Sequence, residues 1–143
     1  MSLPFPLPDP EWEPTREFFA AAARGELALP RCEACGRLNW TPPERCRACD
    51  DARLTWAPVS GRATLFSWTR VERAWVKAYK PIAPYTTGIV ALEEDPGVRL
   101  VTFIVDAEPD ALRAELPMEA VFRPLPYPDA PSTLLAPQFK PAA

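Results

Sequence analysis

The sequence contains no histidine, and only five of its 143 residues are glycine. Histidine is the commonest general acid or base at neutral pH, so its absence leaves such chemistry to Asp, Glu, Lys, Tyr or Cys. The serines and threonines have no obvious activating base near them in the sequence. We therefore expect that the protein is not an independent enzyme.

Long apolar runs are also missing. No uninterrupted apolar stretch approaches the roughly 18 to 20 residues that cross a bilayer, and the opening segment MSLPFPLPDPEWEP lacks a basic region followed by an apolar one. We therefore expect a cytoplasmic protein without membrane contact. Hydrophobic residues still make up 48% of the chain, which suits one ordinary domain with a small appendage.

Four cysteines form two Cys-x-x-Cys pairs in CEACGRLNWTPPERCRAC, residues 32–49. A reducing cytosol disfavours disulfides, and four thiolates at tetrahedral reach favour zinc. The ten residues between the pairs are fewer than the roughly 15 to 20 of the common spacing, but they suffice for a short hairpin. A site with four protein ligands has no open position for substrate, so the metal is expected to be structural. The predicted ligands of one zinc ion in a zinc ribbon are Cys32, Cys35, Cys46 and Cys49.

Other assignments of these cysteines stay open at this point. A sulfur-only tetrahedral site also accepts iron, and the alternatives to a metal are four unrelated buried cysteines or a thioredoxin-like redox pair. Gly36 follows the first pair and can turn the chain in the left-handed region, which Asp50 after the second pair tolerates less well.

The segments outside the ribbon predict one helix and several strands. TREFFAAAARGE, residues 15–26, can form a helix that Thr15 caps and Gly25 ends. Two strands are expected within 53–75, joined by a turn at Ser60-Gly61. In the second strand, alternate residues are expected to face opposite sides. Ala63, Leu65 and Ser67 then line one face, and Thr64, Phe66 and Trp68 line the other. Further strand candidates are 85–94, 98–106, 119–125 and 133–141, with a hairpin signal at 94–97 and a helical turn within 106–116.

About five strands with short connections favour a small closed barrel, because parallel sheets need longer crossovers. The predicted fold is mainly β, with an N-terminal helix, a zinc ribbon and a C-terminal five-stranded OB-fold barrel. The predicted divisions are an arm and helix at 1–26, a zinc ribbon at 27–57, and an OB-fold domain with a Pro-rich C-terminal tail at 58–143.

Positive charge is concentrated in the middle of the chain. Residues 31–80 carry ten Lys or Arg and five Asp or Glu, whereas the remainder carries six and fourteen. The segment RVERAWVKAYKPIAPY, residues 70–85, mixes cations with aromatic rings, which suits coenzyme A, single-stranded nucleic acid or a protein interface, with a solvated or barrel-packing role as the alternative. The candidate coenzyme or partner contacts are Arg70, Arg73, Trp75, Lys77, Tyr79, Lys80 and Tyr85.

The order of features resembles a known family. The resemblance rests on the segments REFFAAAARGELALPRCEACGRLNWTPPERCRAC, VSGRATLFSWTRVERAW, PYTTGIVALEED, RLVTFIVD and PQFKP, in that order. Together they span roughly residues 15–141. They resemble the zinc-ribbon plus OB-fold proteins associated with acyl-CoA metabolism, formerly catalogued as a domain of unknown function. Residue by residue, the resemblance supports only the four cysteines as metal ligands.

The resemblance implies the same fold, with a rubredoxin-like zinc ribbon. It also implies a non-catalytic accessory subunit of a thiolase-like enzyme, such as an acyltransferase, a thiolase or a steroid side-chain retro-aldolase. The partner would supply catalysis, and this chain would stabilise it and help form the acyl-CoA channel. A 2:2 hetero-oligomer is then expected, with a coenzyme A thioester shared at or near the interface.

A nucleic-acid-binding module is the alternative function, because zinc ribbons and OB barrels both occur in such proteins. The net charge of −3 and the isoelectric point near 5.1 argue against it, since an isoelectric point above about 9 is the usual footprint of nucleic-acid binding.

Overall fold

A computed structural model of the chain describes residues 3–143, so the first two residues of the predicted arm lie outside the described residues. The arm leads through a 3-10 turn, Glu13–Thr15, into helix α1, Arg16–Ala23. Thr15 occupies the N-cap position, but its side chain makes no capping hydrogen bond. Gly25 follows the helix with a φ of 75°, a left-handed conformation that ends it. No helix within residues 3–143 is long and apolar enough to span a membrane.

Two antiparallel strands form the base of the ribbon. Strand β1, Leu27–Cys32, pairs along its whole length with β2, Leu54–Val59. Leu27 and Leu29 are almost completely buried, and α1 packs against β1. The cysteine loops therefore project from a strand pair that is fixed by both hydrogen bonds and burial.

The remaining five strands close into a barrel in the order β3-β4-β5-β7-β6, which confirms the predicted OB-like architecture. Their bounds are β3 Arg62–Val71, β4 Tyr85–Leu92, β5 Arg99–Ile104, β6 Pro117–Pro124 and β7 Leu135–Pro141. The expected helical turn after β5 is a single 3-10 turn, Pro109–Ala111.

The weakest seam of the barrel lies between β5 and β7. These strands pair in parallel at one position only, Ile104 with Phe139, whereas the other neighbouring strands are antiparallel with three or more paired residues each. Pro137 of β7 has no backbone N–H, so it cannot donate to a continuous ladder of hydrogen bonds with β5. Helix α1 packs on β7, so it lies beside this seam.

A register shift in β3 changes the predicted alternation. Ala63 and Leu65 are buried and Phe66 is exposed, as expected, but the pairing with β4 shifts between Leu65 and Ser67. The prediction that Ser67 shares a face with Leu65 is therefore wrong, because the irregularity resets the period-two pattern. Gly88 lies beside this point, where a Cβ would sit 2.9 Å from the carbonyl oxygen of Ser67. Glycine thus permits the close approach of β3 and β4.

The ribbon and the barrel share one hydrophobic core. Leu29 and Leu38 from the ribbon and Phe18 from α1 belong to the same buried cluster as Leu65 and Phe139 of the barrel. Loosening the ribbon is therefore expected to expose apolar surface of the barrel.

An ion pair also joins the ribbon to the β4–β5 hairpin. The guanidinium of Arg37 donates to both carboxylate oxygens of Asp95, at 2.7 and 3.0 Å, and this hydrogen-bonded contact lowers the pKa of Asp95. The Asp95 side chain is 11% exposed, but Arg37 is 57% exposed, so solvent screens the pair substantially.

We expect Asp95→Asn to lower the free energy of unfolding by about 1 kcal/mol at neutral pH. Because the folded-state pKa of Asp95 is depressed, the contribution is complete above the unfolded-state value near 3.9 and is lost as the pH falls below it. Urea unfolding of the zinc-loaded protein at pH 7, where the thiolates keep the metal, measures this loss. Glu93→Gln is the control, since the Arg62–Glu93 pair is more than half exposed on both sides. A loss for Asp95→Asn no larger than the loss for Glu93→Gln would contradict the expectation.

Candidate metal centre and cation-aromatic loop

Two similar tight turns hold the four cysteines at the tip of the ribbon. The amide of Gly36 donates to the carbonyl of Cys32 at 2.9 Å, and the amide of Asp50 donates to the carbonyl of Cys46 at 2.8 Å. Gly36 and Asp50 both have positive φ, 76° and 65°. The second turn therefore adopts the left-handed geometry despite its aspartate, a residue that visits this region more readily than most non-glycine residues.

The sulfur atoms are gathered closely enough for one ion. All four Sγ atoms lie within 4.8 Å of one another, with Cys32 to Cys49 at 3.5 Å and Cys35 to Cys46 at 3.7 Å. These separations are far longer than the roughly 2.05 Å of a disulfide bond, so the thiols are unbridged. Four convergent sulfurs fit a closed tetrahedral site for zinc, with no position left for substrate.

Asn39 also supports this cluster, although nothing in the cysteine spacing points to it. Its side chain is buried; Nδ2 lies 3.6 Å from the Sγ of Cys46, and Oδ1 accepts from the amide of Arg47 at 3.0 Å. Its own amide donates to the carbonyl of Pro30. Asn39 therefore connects β1 to the second cysteine turn, a role that cysteine spacing does not reveal.

The surroundings of the thiols favour a thiolate at Cys46. Burial raises the pKa of this thiol, but the amide of Ala48, the Asn39 side chain and the amide of Cys49 outweigh it and lower the pKa to about 6. At Cys49 the amide of Asp51 lowers the pKa, but contacts with the other cysteines and burial raise it to about 12. A shared cation would relieve the mutual repulsion of neighbouring thiolates, so the donor set fits a bound metal ion.

The predicted contact residues of segment 70–85 fall into two groups. Arg70 lies next to the last residue of β3 and forms an ion pair with Glu72. The exposed loop beyond it carries Arg73, Trp75, Lys77 and Lys80, and Trp75 is 86% exposed. Three of these, Arg73, Trp75 and Lys80, line one shallow pocket of about 380 Å³. We call these four exposed residues the cation-aromatic loop.

The two tyrosines of this segment turn to a different surface. Tyr79 lies in the 3-10 turn Lys77–Ile82, Tyr85 begins β4, and their rings stack at 6.3 Å. Both contact aromatic residues that the sequence analysis did not select, Phe103 and Tyr127. Burial, followed by the neighbouring phenol of Tyr79, raises the pKa of Tyr127 to about 12.

Models of known protein families match both the ribbon and the barrel of this chain. The family model described as "ChsH2, rubredoxin-like zinc ribbon domain" matches residues 19–55, and "ChsH2, C-terminal OB-fold domain" matches residues 56–123. The first match contains all four cysteines, and the second contains β3, β4, β5 and most of β6.

Two curated relatives carry different names. The chain is 32% identical over 101 residues to a "DUF35 domain-containing scaffold protein" of Methanothermobacter thermautotrophicus, which covers 70% of this chain and 74% of that protein. It is 29% identical over 125 residues to a "Probable enoyl-CoA hydratase alpha subunit" of Thermomonospora curvata. The latter match covers 87% of this chain but only 36% of the relative, which is much longer.

A solved structure described as "Ltp2-ChsH2(DUF35) aldolase" contains a chain of similar fold. The TM-score is 0.75 at 26% sequence identity, and the match covers 90% of this chain and 94% of the other. The similarity therefore extends over nearly the whole of both chains, including the ribbon and the barrel.

Proposed function

Because this chain belongs to the ChsH2 (DUF35) family of zinc-ribbon and OB-fold proteins, we propose that it is a non-catalytic accessory subunit of a thiolase-like, acyl-CoA-processing enzyme. The enzyme would be an acyltransferase, a thiolase or a retro-aldolase. The observation that carries the proposal is the similarity, over nine-tenths of the chain, to a chain of the aldolase structure. The scaffold name of the archaeal relative supports the same role.

The chemistry of this chain supports a role without catalysis. The sequence has no histidine, and its four cysteines converge on one site. We propose that Cys32, Cys35, Cys46 and Cys49 hold one structural zinc ion. When bound, zinc would cross-link the two cysteine turns, while Asn39 holds the second turn against β1 through its hydrogen bonds.

The exposed apolar surface supports a protein partner. Large hydrophobic side chains left exposed include Phe5, Trp75 and Val101, each more than 70% exposed. Aromatic residues and arginine are the usual anchors of protein interfaces, so we propose that Trp75 and Arg73 contact the partner. A two-fold symmetric thiolase-like dimer would present two equivalent faces, which gives a 2:2 assembly.

The cation-aromatic loop also suits the coenzyme A part of a shared thioester. Arg73, Lys77 and Lys80 make no ion pair within residues 3–143, so their charges are available for phosphate groups. Trp75 can stack on adenine. We propose that this loop lies at the interface, where it contacts both the partner and the coenzyme.

Tagged purification from the source organism, followed by native mass spectrometry and zinc determination on the same sample, tests the function. We expect a thiolase-like protein in fixed stoichiometry and one zinc ion per copy of this chain. Recovery of nucleic acid without a stable protein partner would overturn the proposal and favour the nucleic-acid-binding alternative.

A further inference from the structure

An open groove of about 480 Å³ lies between the N-terminal arm, α1 and strands β5 and β7. We call it the aromatic groove. Its volume falls within the roughly 300 to 1,000 Å³ of pockets that take small molecules. The residues that define it best are Phe19, Tyr79, Tyr85, Phe103, Tyr127 and Pro137.

Four of these rings form a closed circuit of contacts. Tyr79 stacks with Tyr85, Tyr85 meets Phe103 edge-on at 5.6 Å, and Phe103 meets Tyr127 at 6.1 Å. Tyr127 returns to Tyr79 at 5.8 Å. Each ring is thus held by two others, so this wall of the groove is organised before any ligand arrives.

The groove is neutral. None of the described residues that line it is charged, and all three tyrosines of the sequence belong to it. Thr87 also lines it, but its hydroxyl already donates to the carbonyl of Thr102. The lining therefore suits an uncharged apolar body, with phenols as the polar groups that could orient an oxygen atom on it.

The arm forms the opposite side without filling the space. Pro6 and Pro8 line the groove, Leu7 between them is 8% exposed, and the ring of Phe5 meets Tyr79 at 5.9 Å. Because the volume remains with the arm in place, the arm itself does not occupy the groove.

The same turn serves both the aromatic groove and the cation-aromatic loop. The 3-10 turn Lys77–Ile82 contributes Tyr79 to the groove and exposes Lys77 and Lys80 to solvent. A ligand with an anionic head and a neutral apolar tail matches this arrangement, whereas a nucleotide or a nucleic acid has no such tail.

We propose that the aromatic groove binds the apolar acyl group of the thioester, an assignment that rests on the proposed function. The groove would then contribute to the choice of acyl group, and the partner would not determine that choice alone. Bulky or ring-bearing acyl groups fit it best, because flat rings pack against the aromatic wall and exclude water from it.

Fluorine NMR of the full-length, zinc-loaded chain labelled with fluorotyrosine tests the groove directly, since every tyrosine of the sequence is a reporter. The probes are N-phenyl-1-naphthylamine, phenylacetyl-coenzyme A and free coenzyme A. We expect the first two to shift all three resonances in a saturable manner. Free coenzyme A is expected to need at least about tenfold higher concentration for any comparable shift, because it lacks the apolar group.

Tyr127→Glu places a charge in the neutral groove and is expected to weaken binding of the naphthylamine at least about tenfold. Tyr127→Phe keeps the ring and is expected to weaken binding by no more than about twofold, and the same is expected of Glu44→Gln, an exposed position that does not line the groove. Tyr127 lies in the loop between β6 and β7, and the zinc content of each variant checks its folding. Equal weakening in Tyr127→Phe and Tyr127→Glu would contradict a site that depends on ring packing.

The outcomes separate this inference from the proposed function. No saturable shift with the naphthylamine overturns the groove as a binding site, even where a thiolase-like partner co-purifies. Shifts with the naphthylamine but none with phenylacetyl-coenzyme A overturn the acyl-group assignment. Shifts with both probes, in a chain that captures no thiolase-like partner, would support the groove while the proposed function fails.

Discussion

Cys46→Ser is expected to abolish stoichiometric zinc binding and to unfold the ribbon. Structural zinc contributes an apparent free energy of about 10 to 16 kcal/mol in small zinc-finger peptides, comparable with the whole stability of a typical domain. Serine keeps the size of the side chain but removes one thiolate from the cluster. Metal analysis and thermal unfolding followed by circular dichroism measure the loss.

The effect should extend beyond the ribbon. Leu29 and Leu38 share a buried cluster with Leu65 of the barrel, so an unfolded ribbon exposes apolar surface on both sides. We therefore expect Cys46→Ser to lower the melting temperature of the whole chain and to promote aggregation. Treating the unsubstituted protein with a strong chelator should produce the same state.

Glu44→Gln is the matched control, because Glu44 is an exposed residue of the same loop that makes no ion pair within the described part of the chain. It should retain one zinc ion and an unchanged melting temperature. A Cys46→Ser protein that keeps one zinc ion and melts like the unsubstituted protein would contradict a four-sulfur site.

The cysteine cluster and the barrel strands were predictable because their signals are local. Two Cys-x-x-Cys pairs indicate a set of metal ligands by their spacing. The strands that form the barrel carry apolar residues, with turn signals such as 94–97 between them. Strand β1 was missed because Leu27 to Pro30 are all buried, so the segment shows no period-two alternation. Its identity depends on packing against α1 and pairing with β2.

The aromatic groove was not predictable in the same way. Tyr127 lies far along the chain from Tyr79 and Tyr85, and only closure of the barrel brings the three together. The composition of segment 70–85 suggested that Tyr79 and Tyr85 share a surface with the neighbouring cations. In the structure, the turn at Lys77–Ile82 directs the tyrosines to one surface and the lysines to another. A residue such as Asn39 was equally invisible, since a buried amide beside a sulfur has no sequence spacing of its own.

Trp75→Ala is expected to weaken binding of the thiolase-like partner by about 2 to 4 kcal/mol, which is roughly 30-fold to 1,000-fold in the dissociation constant. The side chain is 86% exposed in this chain, so its removal should leave the fold and the zinc content unchanged. The expected loss of affinity is large because a tryptophan that becomes buried at the centre of an interface contributes much of the binding free energy. Surface plasmon resonance with the purified partner measures it, and Trp12→Ala, an exposed tryptophan outside the loop, is the control.

The same titration distinguishes the two roles proposed for the loop when it is run with and without coenzyme A. A loss of affinity in both conditions means that Trp75 contacts the partner itself. A loss only when coenzyme A is present means that the indole acts through the nucleotide, by stacking on adenine.

The Arg73→Ala/Lys77→Ala pair should then weaken the same complex with a reduced salt dependence, because charges at an interface act mainly on association. A change below about twofold for Trp75→Ala in both conditions would mean that neither contact exists, and the partner surface would have to be sought around Phe66 and Trp68 on β3.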